Sequence, residues 1–252
     1  MKPHERQPQI EAIIRREGEA SVEMLAARFD VSAETIRRDL SLLAERGRVQ
    51  KVHGGARRPL LVAEPSHEVR EVVSAAEKAQ IGRRLADAVG PGETLFIDTG
   101  STTLAAAEPL AAVPGLTVIT NSCRLAERLA QAGSDAVIHL LGGRYGADNA
   151  QTTGSAVIEQ IALFRADRAV LTVAAFDPAV GAMDASLDEA QVARAMIRNA
   201  RSVTLLADAT KFGRYAAYAV CGTADADLVI SDGRLNRAHR EALKDRGVEL
   251  WT

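Results

Sequence analysis

At 252 residues, 47% apolar and 25% charged, the chain is long enough for one large domain, or for a small one joined to a medium one. No apolar run nears the roughly 20 residues that span a bilayer, and the opening MKPHERQPQIEAII lacks an export signal's apolar centre and cleavage site. No membrane partner is therefore expected, and a cytoplasmic setting is. The net charge of −2 is uneven: residues 1–60 carry twelve Lys/Arg against nine Asp/Glu, a net of +3, which leaves −5 on the rest. A basic head on an acidic body fits a nucleic-acid-binding module attached to something else. Cys123 and Cys221 belong to no CxxC or Cys/His cluster, so neither a metal nor another cofactor is expected.

In chain order, Gln7 to Glu17 is the first predicted helix, with Ile10, Ile13 and Ile14 on one face and Gly18 as its stop. Val22 to Phe29 is the second, with a stripe of Val22, Leu25, Ala26 and Phe29. A third begins almost at once in VSAETIRRDLSLL. Ser32 is its predicted N-cap, while Thr35 stands where a capping box needs Glu or Gln, so only the cap is expected. Ile36, Leu40 and Leu43 make one apolar stripe and turn Glu34, Arg37, Arg38 and Ser41 outward.

Two short helices joined this tightly cross steeply. A helix that begins with small hydroxyl residues and then offers two arginines suits a major groove: its first turn can approach phosphates, and arginine can bond bidentately to guanine. A solvated amphipathic helix fits the same residues equally well. Gly47 to Ala56 then reads as a β-ribbon with a basic rim, as in a winged helix-turn-helix.

With that ribbon, SAETIRRDLSLLAERGRVQKVHGGA resembles the head of the DeoR family of bacterial transcriptional regulators, Lys51 standing where Arg is frequent. The resemblance implies double-stranded operator DNA as a partner. Arg37 and Arg38 would meet bases, and Ser32, Thr35, Lys51 and His53 mainly the phosphate backbone. It also implies a homo-oligomer, since one small head grips few base pairs.

Arg57-Arg58-Pro59 ends the wing, and residues 59–73 read as a linker, part of which can lie across the second domain. From Ser74 to Thr252 helix and strand alternate. Helices are expected at SAAEKAQIGRRLADAV, STTLAAAEPL, SCRLAERLAQA, SAVIEQIALF, LDEAQVARAMIRNA and near Arg237 to Asp245. Strands are expected at TLFID, TVIT, AVIHLLGG, DRAVLTVAAF, SVTLLAD, ADLVISD and VELWT. Apolar strands alternating with helices mean a mostly parallel sheet covered on both faces. The expected fold is thus a small α+β winged helix-turn-helix head (1–58), a linker (59–73) and an α/β domain (74–252).

In such sheets ligands sit beyond the carboxyl ends of the strands. The first strand runs into Asp98-Thr99-Gly100-Ser101-Thr102-Thr103, a glycine and hydroxyls at a helix start, which suits a phosphate but also serves as a plain cap. Thr120-Asn121-Ser122, Gly142-Gly143-Arg144, and Asp208 with Lys211 end other strands.

The segments DTGSTT, TNS, LLGGR and LADATKFG are similar to the DeoR sensor domain, which is related to ribose-5-phosphate isomerase. That likeness implies a phosphorylated sugar effector. Asp98, Gly100, Ser101, Thr102 and Thr103 would hold its phosphate end, and Asn121, Gly142, Asp208 and Lys211 would surround the rest. The chain departs from the family at Val173-Ala174-Ala175-Phe176-Asp177, at Gly181-Ala182-Met183-Asp184, and at Ala193, where Lys is common.

Three functions are compatible with these residues. The first is a regulator, expected to be a repressor of a sugar catabolic operon, with no catalytic residues. The second is a sugar-phosphate isomerase or deaminase drawing on Asp98, Asp184, Glu189 and Lys211. The third is a protein-binding adaptor, which needs no DTGSTT loop.

Overall fold

Helix α1 (Pro3–Glu17) begins earlier than its apolar stripe, because Pro3 sits in the first turn, where no backbone amide needs a partner. It ends at Gly18, whose φ of 88° lets its amide reach the Ile14 carbonyl at 2.9 Å. A short strand, β1 (Glu19–Ser21), leads into α2 (Val22–Phe29), which closes on the left-handed Asp30. Then come α3 (Ala33–Glu45), β2 (Gln50–Val52) and β3 (Gly55–Arg57). The three strands form one antiparallel sheet in the order β1-β3-β2. The sequence shows the β2–β3 ribbon but not β1, which at three residues is too short to carry a period. Ile10, Leu25, Ile36 and Leu40 are buried in the core of this head.

The computed structural model describes residues 1–45, 48–58, 61–62 and 64–252, in two compact units: Met1–Leu61 with Gly213–Tyr215, and Val62–Phe212 with Ala216–Thr252. Arg46 and Gly47, at the predicted junction of helix and wing, lie outside the described residues. So do Pro59, Leu60 and Ala63 of the predicted linker.

The second unit takes in the rest of that linker, which carries helix α4 (His67–Val72). It continues with α5 (Ala75–Ala88), β4 (Thr94–Ile97), α6 (Ser101–Ala105), α7 (Ala107–Ala111), β5 (Thr117–Thr120), α8 (Cys123–Gln131) and β6 (Val137–Leu140). A hairpin, β7 (Arg144–Gly146) and β8 (Gln151–Thr153), precedes α9 (Ser155–Ile161) and β9 (Ala166–Thr172). After β10 (Ala175–Asp177), β11 (Gly181–Asp184) and α10 (Leu187–Arg198) come β12 (Ala200–Leu206), β13 (Tyr218–Cys221), β14 (Leu228–Ile230), α11 (Arg237–Lys244) and β15 (Glu249–Trp251).

Seven strands form one sheet in the order β15-β14-β12-β9-β4-β5-β6, and every neighbouring pair is parallel. Helices cover both faces, and two apolar clusters fill the space, one around Phe96 and Phe176 and the other around Ile81, Leu95 and Val118. The expected α/β domain with a mostly parallel sheet is therefore present.

Three local differences have physical causes. The helix expected over STTLAAAEPL breaks into α6 and α7 at Ala106, because Pro109 has no amide to give the Ala105 carbonyl. The run DRAVLTVAAF divides into β9 of the large sheet and β10 of a small antiparallel sheet, β10-β11-β13, a division that a uniformly apolar run does not show. That small sheet depends on Gly181, with φ 116°, where a Cβ would lie 2.1 Å from the Cys221 carbonyl oxygen. Among the described residues no helix is long and apolar enough to cross a membrane.

Candidate functional site

In the head, α3 is placed by its own capping and by one buried ion pair. The Ser32 hydroxyl accepts the Thr35 amide at 3.2 Å and lies 2.9 Å from the Thr35 hydroxyl, so the expected cap is present and also engages Thr35. Asp39, in the middle of α3, is 3% exposed. It accepts Arg6 Nε at 2.6 Å and Gln7 Nε2 at 2.9 Å, tying the helix to α1. With Asp39, Ile36 and Leu40 turned inward, Arg37 and Arg38 are exposed. Among the described residues the Arg37 side chain pairs with Glu34 alone, at 3.4 Å. Lys51, on β2, donates to the Ser41 hydroxyl at 3.0 Å, which places it beside α3, and His53 stands exposed at the ribbon's turn. Sequence reasoning missed the Arg6–Asp39 pair, because a lone Asp between Arg38 and Leu40 reads as one more surface charge.

In the second unit, the strand order fixes where a ligand belongs. The chain runs from β4 outward through β5 to β6, then returns to β9 on the other side of β4 and runs outward again through β12, β14 and β15. The order reverses between β4 and β9, and such a switch point leaves a crevice at the carboxyl ends of its two strands. The DTGSTT loop leaves β4 at that point. The Asp98 carboxylate crosses to β9 and accepts the Thr172 amide at 3.0 and 3.1 Å. At Gly100 a Cβ would come within 2.3 Å of Thr172 Oγ1, so any larger residue there would push the Thr172 side chain aside.

The loop residues divide by role. Thr103 Oγ1 donates to the carbonyls of Asp98 (3.1 Å) and Gly100 (3.0 Å), so it braces the turn. Ser101 and Thr102 are nearly buried at the start of α6 and carry no such brace among the described residues. Asn121, at the end of β5, donates to the Thr152 carbonyl at 2.9 Å, while its Oδ1 is buried without a partner among the described residues. Gly142 is fastened rather than open: its amide and carbonyl both bond the Gln160 carboxamide, at 3.0 and 2.9 Å. Asp208, just past β12, caps the next turn through the Thr210 amide at 2.9 Å. Lys211 pairs with Glu64 at 3.2 Å.

Asp98, Asp184 and Glu189, candidates in the sequence, prove to be buried or half-buried acids, which the sequence does not reveal. Burial holds the Asp98 carboxyl well above the ordinary range, Asp184 at about 6, and Glu189 at about 7 with the Asp184 charge adding to it. Glu189 accepts Gln151 Nε2 at 2.8 Å and Asn149 Nδ2 at 3.0 Å. Gln151 in turn accepts Asn121 at 3.4 Å, so Asn121 and Glu189 share one network. Glu64 and Arg70, both from the stretch read as linker, pair at 3.2 Å.

The departures are buried as well. Val173, Ala174, Ala175 and Phe176 lie in the apolar core, and so does Ala193, where a lysine would have added a cation. Among the described residues no cluster of His, Cys, Asp and Glu is arranged to hold a metal.

A helical head with an exposed pair of arginines and a basic ribbon, together with a parallel α/β domain carrying a polar rim at its switch point, defines a two-part protein in which one part suits DNA and the other a small polar ligand. Residues 6–59 match the DeoR-like helix-turn-helix domain, and residues 73–233 match the DeoR C terminal sensor domain. The chain belongs to the DeoR family of bacterial transcriptional regulators.

It is 33% identical over 251 residues to the glycerol-3-phosphate regulon repressor of Escherichia coli (strain K12), covering 99% of both chains. It is 32% identical over 251 residues to the transcriptional repressor GlcR of Bacillus subtilis (strain 168), covering 99% of this chain and 96% of that one. Among solved structures, ribose 5-phosphate isomerase A from Neisseria gonorrhoeae aligns with a TM-score of 0.40 at 14% identity, over 54% of this chain and 52% of that one.

Proposed function

We propose that this chain is a cytoplasmic repressor of a sugar catabolic operon, working as a homo-oligomer, whose grip on operator DNA is set by a phosphorylated sugar. The observation that carries the reading is the exposed face of α3. Its two arginines face outward while the helix is held from behind by Ile36, Leu40 and the buried Asp39–Arg6 pair. A helix anchored from behind can present exposed guanidinium groups to base edges, with only the weak Arg37–Glu34 pair to give up. Lys51, His53 and the Ser32–Thr35 end of the helix are the groups available to phosphates, which set affinity and its salt dependence.

On the second unit, Ser101, Thr102, Asn121 Oδ1, Asp208 and Lys211 at the switch-point rim are the groups offered to the effector. Thr103 and Gly142 support that rim through the bonds they already make. The relatives named as repressors, one of a glycerol-3-phosphate regulon, favour a phosphorylated polyol or sugar. An effector controls such a protein only by binding its DNA-competent and incompetent states unequally.

Fluorescence anisotropy on the gene's own upstream DNA, with sugar phosphates added in turn, tests both halves together. Specific binding altered by one phosphosugar is the expected result. A competing reading, proton-transfer chemistry on the same ligand, draws on Asp184 and Glu189, which stand at about 6 and about 7. Turnover of the panel without DNA binding is the outcome that favours it.

A further inference from the structure

Glu64 lies three residues past Leu61, where the chain has just entered the second unit, in a stretch whose sequence reads as linker. Its carboxylate is nevertheless not solvated. The side chain is 16% exposed, one oxygen is 3.2 Å from Lys211 Nζ and the other 3.2 Å from Arg70 Nη1, and those partners are 18% and 11% exposed. A carboxylate shared by an ammonium and a guanidinium makes the arrangement a phosphoryl group would make, with one acceptor oxygen fewer and less charge. Lys211 is also the residue that the resemblance assigns to the effector.

We propose that the Glu64 carboxylate is a built-in occupant of the anion subsite formed by Lys211 and Arg70, and that an effector phosphoryl group, shared between this subsite and the DTGSTT loop on the same rim, displaces it. The proposal rests on the phosphosugar reading for its natural ligand, although inorganic phosphate probes it independently.

Two further features make Glu64 a displaceable occupant rather than a permanent brace. It shares its surroundings with acids: its charge disfavours ionisation of Asp98, Asp184 and Glu189, and whichever of them is ionised repels it in return. The stretch that carries it is also held by side-chain bonds rather than by its own regularity. Helix α4 has six residues, too few to persist alone. Arg70 bonds the Asn149 carboxamide and the Pro65 carbonyl. Asp148 accepts the His67 amide, and Lys78 Nζ reaches the carbonyls of Arg70 and Val73. The far end is Ser74, a non-glycine residue at φ 56°, a sparsely populated conformation. Once the Glu64 bonds are lost, residues 64–66 keep fewer ties to the rim, while Arg70 stays on the subsite. Effector occupancy then reaches the chain segment that continues from the DNA-binding head.

The test uses the full chain as wild type, Glu64→Gln and Lys211→Ala, titrated calorimetrically with inorganic phosphate at constant ionic strength. Amide hydrogen exchange at Glu64 and Ser66 is followed in the wild type with and without phosphate. Glu64→Gln should bind phosphate roughly threefold more tightly or better, and Lys211→Ala correspondingly more weakly. Phosphate should speed exchange at Glu64 and Ser66 in the wild type, a readout that does not depend on any variant folding. Equal or weaker binding by a Glu64→Gln protein with an unchanged melting curve overturns the proposal, and so does slower exchange at those two amides. If phosphate displaces the stretch but no sugar phosphate binds, the competitor stands and the phosphosugar reading falls. If a sugar phosphate binds and Glu64→Gln weakens it, Glu64 is a ligand contact and the competitor falls.

Discussion

Arg37 and Arg38 are adjacent, yet among the described residues only Arg37 has a side-chain partner to lose. The Arg37–Glu34 pair is exposed and 3.4 Å long, so it contributes little to stability. Replacing either arginine by alanine should leave the melting curve unchanged, while each loses about 1–3 kcal/mol of specific DNA affinity if it reads a base edge. Anisotropy on the operator and on a scrambled duplex separates the roles: an equal loss on both would make that arginine a phosphate contact.

Glu189 tests the buried acids at the same scale. Its folded value of about 7 lies above the ordinary 4.5, so the folded state holds a proton that the unfolded state gives up. Its contribution to stability is full below pH 4.5 and is lost as the pH rises toward about 7. Glu189→Gln keeps an acceptor for Asn149 and Gln151 and removes the charge. The variant should therefore melt higher than wild type at pH 8, by roughly 1–3 kcal/mol in stability, and match it near pH 5. Parallel melting curves for the two proteins across that range would place the titration elsewhere.

At the scale of elements, α3 and the loop after β4 each depend on one hidden polar tie. Asp39→Ala strands the Arg6 guanidinium in the head's interior and should destabilise the head by about 3 kcal/mol. Unfolding followed by amide exchange in α1 and α3 measures it, and a loss below about 1 kcal/mol would mean that water replaces the pair. In the DTGSTT loop, the hydroxyls should separate by role. Ser101→Ala with Thr102→Ala should weaken a phosphosugar far more than the unphosphorylated sugar. Thr103→Val should lower the melting temperature first, since its hydroxyl braces the Asp98 and Gly100 carbonyls. Equal losses for both sugars in the double variant would remove phosphate from the loop.

Across the whole molecule, the two partners are expected on different units, and thermodynamics then constrains both measurements. Whatever factor the effector takes from operator affinity, operator DNA must take from effector affinity. Anisotropy with and without saturating effector, set against calorimetry with and without DNA, should give one coupling factor. Unequal factors would mean that a third state, such as a change of oligomer, has entered the cycle.

Within the sequence itself, α2, α3 and the β2–β3 ribbon were legible because each has a strong period, a cap or a glycine turn. The alternation of apolar strands and helices from Ser74 onward fixed a parallel α/β domain, because strands buried on both faces have no polar side to show. The rim residues Asp98, Asn121 and Asp208 were legible as polar ends of apolar runs. Tertiary structure alone decided which of them meet. Strand order, which no local period encodes, put the switch point between β4 and β9 and so made Asp98 and Gly100 its centre. It also turned Gly142 to Gln160, buried Asp39 on Arg6, and brought Glu64 from an unpatterned stretch onto Lys211. Each of these is a pairing between residues far apart in the chain, and the chemistry of either partner alone does not say that the other will be there.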